Sequence, residues 1–598
     1  MRLLLIVTSY NGLSQRAHIE LEELGHDVSI SVSASEDEMR VAVLRHQPEL
    51  IICPFLKQRV PADIWKAHPC IIVHPGVKGD RGPSSLDWAI TENRKTWGAT
   101  ALEASDEMDA GDIWSSTHFE MRVASKASIY RREVTEAAIR IISDTVRKFQ
   151  TAGFRPEPLD YSNADVRGRL RPPMKQVARR IDWTRDGTDD IVRKIHAPDS
   201  APGVLDTILG EEYYLYGAHK EELLRGGNPG DIIAQRCGAI CIASTDGAVW
   251  VSHLRKKCSN AAETSQSFKL PATMLLKERL GGIPESPEDL LRQSRLSTFR
   301  EIWYEESKGV GYLHFDFHNG AMHTRQCERL KAAFLSIRSR PIKVIVLLGG
   351  ADFWSNGIHL NVIEAANSPA DESWRNINAI DDLVLEMINT TSRLTVSALW
   401  GSAGAGGVMM SLAADRVWAR AGCVVNPHYK TMGLYGSEYW TYLLPKRVGP
   451  DMAIELTESA LPVGMQKAKR IGLIDEIMPN TYSEFIERIK ASAEGLANDN
   501  KYDSFLRAKV KARESDEMTR PLRAYRDAEL QKMFVQFYDP DSAYHTLRRS
   551  FVEKTPPPEK GRGLAKHHRL HFRTFKDPRK EIGRSRFPGI AAEALSPC

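Results

Sequence analysis

One histidine and one aspartate of the N-terminal region stand where side chains could carry out proton transfer. His74 directly follows the apolar run 71–73, and Asp109 opens the later turn sequence Asp-Ala-Gly. A lone histidine after a strand is most often a hydrogen-bonded structural residue. A carboxylate beside it changes this interpretation, because a nearby negative charge favours the cationic form of an imidazole. The pair therefore predicts a site for acid–base chemistry.

Glycine-rich turns in the C-terminal half indicate a second candidate site. Gly357 and Ile358 come shortly after a buried apolar run, and residues 401–407 contain four glycines. Glycine allows the backbone to approach a ligand closely, and a helix that opens at such a turn favours negative charge. Beyond these turns, Tyr429 and Glu438 supply a hydroxyl and a carboxyl group. A single glycine-rich turn is weak evidence, so the order of several motifs must decide what this site binds.

The elements that must position His74 alternate between strand and helix. Short apolar runs at residues 3–7, 28–32, 50–53 and 71–73 are separated by helix-like segments. This alternation predicts a parallel sheet with right-handed crossover connections. Ligands of such sheets bind beyond the carboxyl ends of the strands, and His74 lies at one of these ends.

The C-terminal site requires a second α/β unit. Residues 310–315, 342–348 and 395–399 are predicted strands, and residues 324–337 form an amphipathic helix pattern. The stretch 484–553 is rich in Lys, Glu, Ala and Leu, which favours helices.

The composition changes several times along the 598 residues, which indicates several domains. We therefore predict an α/β multidomain protein. Between the two α/β units, short β runs with turn sequences such as Asn228-Pro229-Gly230 predict a small β-rich domain. The predicted regions are a parallel-sheet domain (1–160), a small β-rich domain (161–258), a polar linker (259–298), a second α/β domain (299–485), a helical extension (486–555) and a basic tail (556–598).

The composition excludes several classes of protein. The net charge of +4 gives no general nucleic-acid signature, and no apolar run is long enough for a membrane-spanning helix. The apolar start at residues 3–7 runs into polar sequence, so we interpret it as a strand and not a signal peptide. The eight cysteines form no CxxC pair, which favours a reducing, cytoplasmic setting, and no metal-ligand cluster stands out. The basic tail is either a surface extension or a contact for an anionic partner.

The segment 71–90 contains His-Pro-Gly, Arg-Gly and Trp-Ala-Ile sequences and precedes the turn at Asp109. In this order the motifs resemble the formyltransferases that use 10-formyltetrahydrofolate, such as methionyl-tRNA formyltransferase, over about residues 1–250. The resemblance implies that His74 is the oxyanion donor or acid–base group and that Asp109 tunes it and relays protons. The candidate ligand-binding residues of this half are Gln15, Arg81, Gly82, Ser84 and Arg131.

The chain departs from this family at one position. The family has Asn two residues before the histidine, where this chain has Ile72. One oxyanion donor is therefore missing. Gln15 and Arg16 in the first helix, and the pair Arg131-Arg132, are candidate substitutes, although each also fits a solvated helix surface.

Four ordered motifs in residues 300–480 resemble the crotonase superfamily of enoyl-CoA hydratases and isomerases. They are Asn319-Gly-Ala-Met, the segment 351–360, the turn 401–407 and Leu444-Pro445. The resemblance implies that the backbone N–H groups of Ile358 and Gly406 form an oxyanion hole for a coenzyme A thioester. The candidate ligand-binding residues of this half are Asn319, Gly357 and Gly407.

The positions of the two hydratase carboxylates are not acidic in this chain. They fall at Met409 and Tyr429, so hydration by the usual route is not expected. Tyr429 replaces a catalytic position, which favours a hydrogen-bonding or proton-handling role. Next to it in sequence is His428, and Glu438 follows nine residues after Tyr429. We expect Tyr429 and Glu438 to act on a thioester by different chemistry.

Together the two halves resemble the HypX-type hydrogenase maturation factors, and formyl-coenzyme A is the intermediate they would share. The resemblance implies synthesis of carbon monoxide for nickel–iron hydrogenase, with 10-formyltetrahydrofolate and coenzyme A as substrates and hydrogenase maturation proteins as partners. One alternative is a deformylase that releases formate. Another is a non-enzymatic scaffold that binds folate and coenzyme A and docks assembly proteins through the tail. Transfer to tRNA is not expected, because the first 300 residues show no basic stripe.

Overall fold

The computed structural model describes residues 1–258, 267–291 and 296–555. The predicted basic tail lies outside the described residues, as do parts of the predicted linker. None of the described helices is both long and apolar enough to cross a lipid bilayer. The described chain forms three sheet-based domains followed by a group of helices.

The N-terminal domain is built on a six-stranded sheet. Its strands are β1 (Arg2–Val7), β2 (Asp27–Val32), β3 (Leu50–Cys53), β4 (Cys70–His74), β5 (Thr96–Glu103) and β6 (Ile113–Glu120). The order is β2-β1-β3-β4-β5-β6, with β1 to β4 parallel and β5 and β6 antiparallel to their neighbours. The four strands predicted from the sequence form the parallel part of the sheet, as expected, and β5 and β6 add two antiparallel strands that were not predicted. Only a turn at residues 104–112 joins β5 to β6, and a connection without a crossover helix requires antiparallel pairing.

Helices cover both faces of this sheet. They are Gly12–Glu23, Glu36–His46, Ala62–Ala67, Ser85–Thr91, Lys126–Ile129 and Thr135–Phe149. In β1, Leu3 and Leu5 pack into one core and Leu4 and Ile6 into the other, as expected for a largely parallel sheet buried on both sides. A π-helical turn, Tyr130–Val134, joins the last two helices. Such turns are frequent at functional sites.

An antiparallel sheet forms the small domain predicted from the short β runs. Its strands are β7 (Val204–Ile208), β8 (Glu211–Glu221), β9 (Ile232–Arg236), β10 (Ala239–Ala243), β11 (Ala248–Lys256) and β12 (Leu270–Pro271). The order is β7-β8-β11-β10-β9, with β12 beside β11. Helix Thr188–His196 packs on the sheet, as does the short helix Ala272–Leu276. Residues 270–280, assigned to a linker from the sequence, thus contribute to the core of this domain.

The C-terminal α/β domain has one large sheet and short strands beside it. The large sheet contains, in spatial order, β13 (Ile302–Ser307), β14 (Val310–Phe315), β16 (Val344–Leu348), β19 (Leu394–Leu399), β21 (Arg416–Arg420) and β24 (Glu476–Met478). The short strands are β15 (Ala321–Met322), β17 (Phe353–Ser355), β18 (Gly357–Ile358), β20 (Ser402–Gly404), β22 (Val424–Asn426) and β23 (Val463–Gly464). All neighbours in the large sheet are parallel except β13 and β14.

Helices complete this domain and extend it. Those of the domain are Thr324–Arg338, Leu360–Glu364, Pro369–Ile388, Gly406–Leu412, Trp440–Val448, Pro450–Ser459 and Met465–Arg470. The predicted helical extension consists of Tyr482–Asn498, Tyr502–Thr519, Leu522–Tyr538 and Ala543–Glu553. It returns to the domain, because Leu522, Met533 and Phe537 are buried in the same core as the strands of the large sheet.

A buried polar cluster joins the two halves of the chain. Glu136 accepts hydrogen bonds from Arg420 at 2.8 Å and from Asn480 at 2.7 Å, both in the C-terminal half. Arg16 pairs with Glu136 at 3.3 Å and donates to the carbonyl oxygen of Gly422 at 2.7 Å. Burial alone would raise the pKa of Glu136, but Arg16 and Arg420 lower it. A charged, fully partnered carboxylate therefore holds the two halves together.

Candidate active sites

The first candidate site lies at the carboxyl end of β4, where His74 stands between two carboxylates. Nε2 of His74 lies 2.9 Å from Oδ2 of Asp80, and Nδ1 lies 3.4 Å from Oδ2 of Asp109. The imidazole is almost fully buried. Gly76 permits this arrangement, because a Cβ atom there would collide with both His74 and Asp80. The fold thus brings His74 and Asp109 together and adds a second acid.

Hydrogen bonds connect the Arg-Gly loop to the turn that carries Asp109. Asp109 has a left-handed backbone with φ 53°, and its Oδ2 accepts a hydrogen bond from the N–H of Gly82 at 3.1 Å. Arg81 Nε donates to the carbonyl oxygen of Met108 at 2.8 Å. Gly82 has φ 113° and lies against the carbonyl oxygen of Arg171, so a side chain would not fit there. These contacts fix the carboxylate of Asp109.

The far end of the same loop packs against the segment that leads to the small domain. Ser84 directly precedes the helix Ser85–Thr91, and its hydroxyl accepts a hydrogen bond from the N–H of Met174 at 3.0 Å. Trp88 Nε1 donates to the carbonyl oxygen of Pro172 at 3.0 Å. Ser84 therefore anchors the loop, and its hydroxyl is already engaged.

The proposed substitutes for the missing asparagine contact the other half of the chain. Ile72 places a half-buried aliphatic side chain two residues before the histidine. Gln15 Oε1 accepts a hydrogen bond from Asn426 at 3.2 Å, and Arg16 lies in the cluster around Glu136. These two residues are therefore engaged at the interface between the halves.

The second candidate site lies where β18 approaches the helix that begins at Gly406. Gly357 has φ 77°, and a Cβ atom on it would stand 3.5 Å from the backbone nitrogen of Gly406. Gly407 lies against the carbonyl oxygen of Ser355, so a side chain at this position would collide with β17. The amides of Ile358 and Gly406, expected to form an oxyanion hole, thus belong to adjacent elements.

Glu438 and Tyr429 form a buried hydrogen-bonded pair at this site. The carboxyl group of Glu438 lies against the Cα of Gly406, and the hydroxyl of Tyr429 donates to Oε2 of Glu438 at 2.7 Å. Burial and the charge of Asp381 raise the pKa of Glu438 to about 8. Burial and Glu438 raise the pKa of Tyr429 well above its usual value. At neutral pH the pair is an uncharged carboxylic acid bonded to an uncharged phenol.

Two further carboxylates hold the segment that carries Glu438. Glu438 and Tyr439 have left-handed backbones with φ 58° and 57°, a costly conformation for residues with side chains. Asp381 accepts a hydrogen bond from the N–H of Glu438 at 2.8 Å and one from the hydroxyl of Ser437 at 2.7 Å. Glu529 accepts one from the N–H of Tyr439 at 3.0 Å. One helix of the domain and one helix of the extension therefore fix this strained segment.

Arg131 and Asn319 connect the N-terminal half to the second site. Arg131 donates hydrogen bonds to Asp352 at 2.9 Å and to Oδ1 of Asn319 at 3.0 Å. The carbonyl oxygen of Asn319 accepts a hydrogen bond from Nδ2 of Asn356 at 2.8 Å. Because Asn356 directly precedes Gly357, a continuous hydrogen-bonded series runs from the first half to the glycine turn.

Lys269 and Lys554 place positive charge near Asp199, and Arg131 adds a third positive charge near both lysines. Lys269 of the small domain lies 3.3 Å from Asp199, and its Nζ is 3.8 Å from the centre of the Tyr216 ring. Burial and the charges of Lys554 and Arg131 lower the pKa of Lys269 to about 8, against the opposing effect of Asp199. Lys269, Lys554 and Arg131 lie close enough to affect one another electrostatically, so the cluster suits an anionic ligand.

The remaining residues near the second site supply no carboxylate for activating water. Met409 is fully buried in the hydrophobic core. His428 is buried, its Nδ1 makes no hydrogen bond within the described residues, and burial lowers its pKa to about 4. In the part of the chain that the structure describes, no group of three or more His, Cys, Asp or Glu side chains could hold a metal ion.

Three buried carboxylates at these sites were not predicted from the sequence. Asp80 stands six residues after His74, and an acid in so short a loop was a usable signal. Asp381 and Glu529 are buried among the apolar residues of their helices, where an acid interrupts the helical spacing. No sequence motif indicated Lys269 as a site residue, because its surroundings depend on contacts among three domains.

Family models match both halves of the chain. Residues 305–562 match the model described as enoyl-CoA hydratase/isomerase, and residues 173–270 match the formyl transferase C-terminal domain. Methionyl-tRNA formyltransferase from Bacillus mycoides is 25% identical over 255 residues, which are 42% of this chain and 80% of that protein. These matches confirm the predicted pairing of domains.

Two relatives cover nearly the whole chain. The hydrogenase maturation factor HoxX from Bradyrhizobium diazoefficiens is 44% identical over 557 residues, which are 93% of this chain and 95% of that protein. The crystal structure of HypX from Aquifex aeolicus in complex with tetrahydrofolic acid has a TM-score of 0.90 and 44% identity, covering 95% of this chain and 98% of that chain. The chain therefore belongs to the HypX/HoxX family of hydrogenase maturation factors.

Proposed function

We propose that this protein makes carbon monoxide for the assembly of nickel–iron hydrogenase. Formyl passes from 10-formyltetrahydrofolate to coenzyme A, and formyl-coenzyme A then loses carbon monoxide. The observation that carries the proposal is the buried, hydrogen-bonded pair of Glu438 and Tyr429 against Gly406, where burial raises the pKa of Glu438 and favours its acid form. A hydratase would have charged carboxylates at such a site. An uncharged acid can protonate a leaving thiolate without activating water.

The first step is formyl transfer at His74. The sulfur of coenzyme A attacks the formyl carbon, and the C–S bond forms as the C–N bond to the folate breaks. His74 delivers a proton to the folate nitrogen and recovers one from the thiol, while Asp109 orients its ring. The relative from Aquifex aeolicus crystallised with tetrahydrofolic acid supports folate as the donor.

Coenzyme A is proposed as the acceptor because its phosphates suit the basic cluster. Arg131, Lys269 and Lys554 offer cationic donors to a phosphate-bearing ligand. The series from Arg131 through Asn319 and Asn356 leads from this cluster to the glycine turn of the second site. A coenzyme A arm anchored by its phosphates would therefore serve both sites.

The second step is decarbonylation at the oxyanion hole. The N–H groups of Ile358 and Gly406 hold the thioester oxygen. The C–S bond breaks with its electron pair on sulfur, and Glu438 protonates that sulfur. The formyl proton passes to the resulting carboxylate, and the C–H electron pair remains on carbon as carbon monoxide leaves. Glu438 returns to its acid form, so the step requires no oxidant or reductant.

We place this chemistry in the cytoplasm, with hydrogenase maturation proteins as the recipients of the product. The family supports these partners. The cysteines of the described residues are free thiols, and the sulfur atoms of Cys53 and Cys70 lie 4.0 Å apart without a bond between them. A reducing compartment is consistent with such a pair.

The test supplies purified protein with 10-formyltetrahydrofolate, with and without coenzyme A. Haemoglobin trapping measures carbon monoxide in the headspace, and formate is measured in solution. We expect carbon monoxide only when both substrates are present. Formate without carbon monoxide would instead indicate a deformylase, and the absence of both products would indicate a binding scaffold.

Release of carbon monoxide from formyl-coenzyme A is expected to decline as the pH rises through about 8. The pKa of Glu438, raised to about 8 by burial and by Asp381, makes the acid form dominant at pH 7. Deprotonation above this value removes the group that protonates sulfur. Initial rates with formyl-coenzyme A supplied directly, measured between about pH 6 and pH 9.5, check this. Formation of tetrahydrofolate in the same buffers is the control, and a rate that kept rising above pH 8 would contradict the assignment.

A further inference from the structure

Asp80 is the closer of the two carboxylates at His74. Its Oδ2 lies 2.9 Å from Nε2 of His74, and the residue is 2% exposed. Its Oδ1 makes no hydrogen bond within the described residues. The nearest opposite charge is Arg171, whose Nε lies 3.7 Å from Oδ1, but two nitrogens of Arg171 already bond Glu92. The charge of Asp80 is therefore directed mainly at the imidazole.

The two ring nitrogens of His74 both face carboxylates. An ionised carboxylate can only accept hydrogen bonds, and a neutral imidazole can donate only one. A neutral imidazole would turn the bare lone pair of one ring nitrogen toward a carboxylate, so two ionised acids at 2.9 Å and 3.4 Å from the two nitrogens favour a proton on each of them. Among the described residues, the recorded ion pairs of the ring and its acids are those with Asp80 and Asp109 and, behind Asp80, the pair with Arg171.

The loop holds Asp80 in this place by backbone contacts. The N–H of Asp80 donates to the carbonyl oxygen of Val77 at 2.9 Å. On either side of it, Gly168 donates to Lys78 at 2.8 Å and Arg81 donates to Arg169 at 3.2 Å, each through backbone atoms. The backbone of the loop at Asp80 is thus fixed on both sides, at a position from which the carboxylate reaches the ring.

We propose that Asp80 is a positioning residue that holds His74 in its cationic form, and that this charge replaces the oxyanion donor absent at Ile72. A formyl transfer develops negative charge on the carbonyl oxygen, which a neutral amide donor would stabilise by a hydrogen bond. A cation next to the same oxygen stabilises the same charge electrostatically. The inference rests on the proposed formyl transfer and deepens it.

The first experiment determines the charge of His74 in the free protein. Nitrogen-15 NMR of labelled histidine separates imidazolium from neutral imidazole, and a His74→Gln variant assigns the signal. We expect the cation at pH 7 in the parent protein and the neutral ring in Asp80→Asn. A neutral His74 in the parent protein would overturn the inference, whatever the variants do.

The second experiment is a rescue. Asp80→Asn is expected to slow tetrahydrofolate formation by about ten- to a hundredfold, with the alkaline limb of its pH profile at lower pH, because a carboxylate that favours the cation is removed. Adding Ile72→Asn should restore part of the rate, because it supplies the family's neutral donor. The matched control is Asp87→Asn, which removes a buried carboxylate that pairs with Arg179 at 2.6 Å.

The outcomes separate this inference from the function on which it rests. A parent protein that forms no tetrahydrofolate with coenzyme A refutes the formyl transfer, and the NMR result still decides the charge of His74. An active parent whose Asp80→Asn variant matches Asp87→Asn in rate and pH profile refutes the role of Asp80. Loss of activity that Ile72→Asn does not restore refutes the replacement of the missing donor.

Discussion

Glu438→Gln is expected to lower carbon monoxide release from formyl-coenzyme A by about a hundredfold or more. Glutamine has the same size and keeps an acceptor for the hydroxyl of Tyr429, which lies 2.7 Å from Glu438. It has no acidic proton to give to sulfur. Tyr429→Phe is expected to lose about tenfold, because it removes the hydrogen bonds of the hydroxyl to Glu438 and to the carbonyl oxygen of Ser437 but leaves the acid in place. Headspace carbon monoxide after addition of formyl-coenzyme A measures both effects.

A surface substitution of the same chemistry provides the control. Glu455→Gln changes an exposed carboxylate that pairs loosely with Lys467 at 3.6 Å, and it should leave the rate unchanged. Tetrahydrofolate formation by Glu438→Gln should also equal that of the parent protein, since the first site is intact. Parent levels of carbon monoxide from both Glu438→Gln and Tyr429→Phe would show that this pair does not carry the second step.

His74→Ala is expected to lower tetrahydrofolate formation by about a thousandfold. The substitution removes the proton carrier and leaves Asp80 and Asp109 facing each other without a cation between them. The absorbance change on conversion of the folate measures the rate. When formyl-coenzyme A is supplied directly, the same variant should release carbon monoxide at the parent rate, because the second site does not use His74.

His118→Ala is the matched control, since His118 is an exposed histidine on β6 of the same sheet. Its tetrahydrofolate formation should equal that of the parent protein. Full formyl transfer by a folded His74→Ala protein would make His74 a structural residue. Circular dichroism of each variant establishes that the fold is retained.

The fold class was predictable because a strand that is buried on both faces of a sheet is a continuous apolar run in the sequence. The continuous apolar runs at residues 3–7 and 50–53 predicted buried strands, and both are present. The antiparallel pairing of β5 and β6 was not predictable in this way. An apolar run indicates a buried strand but not whether the adjacent strand is parallel or antiparallel to it. The linker assignment failed at residues 270–280 for a related reason. A two-residue strand and a five-residue helix are too short to show periodicity.

Candidate residues at both sites were predictable from the sequence, but the contacts that hold them in place were not. His74, Asp109, Tyr429 and Glu438 were identified because they fall in or after ordered motifs, and the fold places each pair in contact. Glu529 lies 91 residues after Glu438 in a region with no motif of its own. Its role depends on a tertiary contact, and spacing along the chain contains no information about such a contact.

The hydrogen bonds from the segment 437–441 to Glu529 determine the order in which the two sites can fold during synthesis. A chain leaves the ribosome from its N-terminus, and domains fold as they emerge. His74 and both of its acids lie within the first 110 residues. The backbone of Tyr439 and of Thr441, by contrast, is anchored by Glu529, which is synthesised 91 residues after Glu438. A nascent chain can therefore complete the His74 site first, and the Glu438 site is finished only after the helix that carries Glu529 has been made.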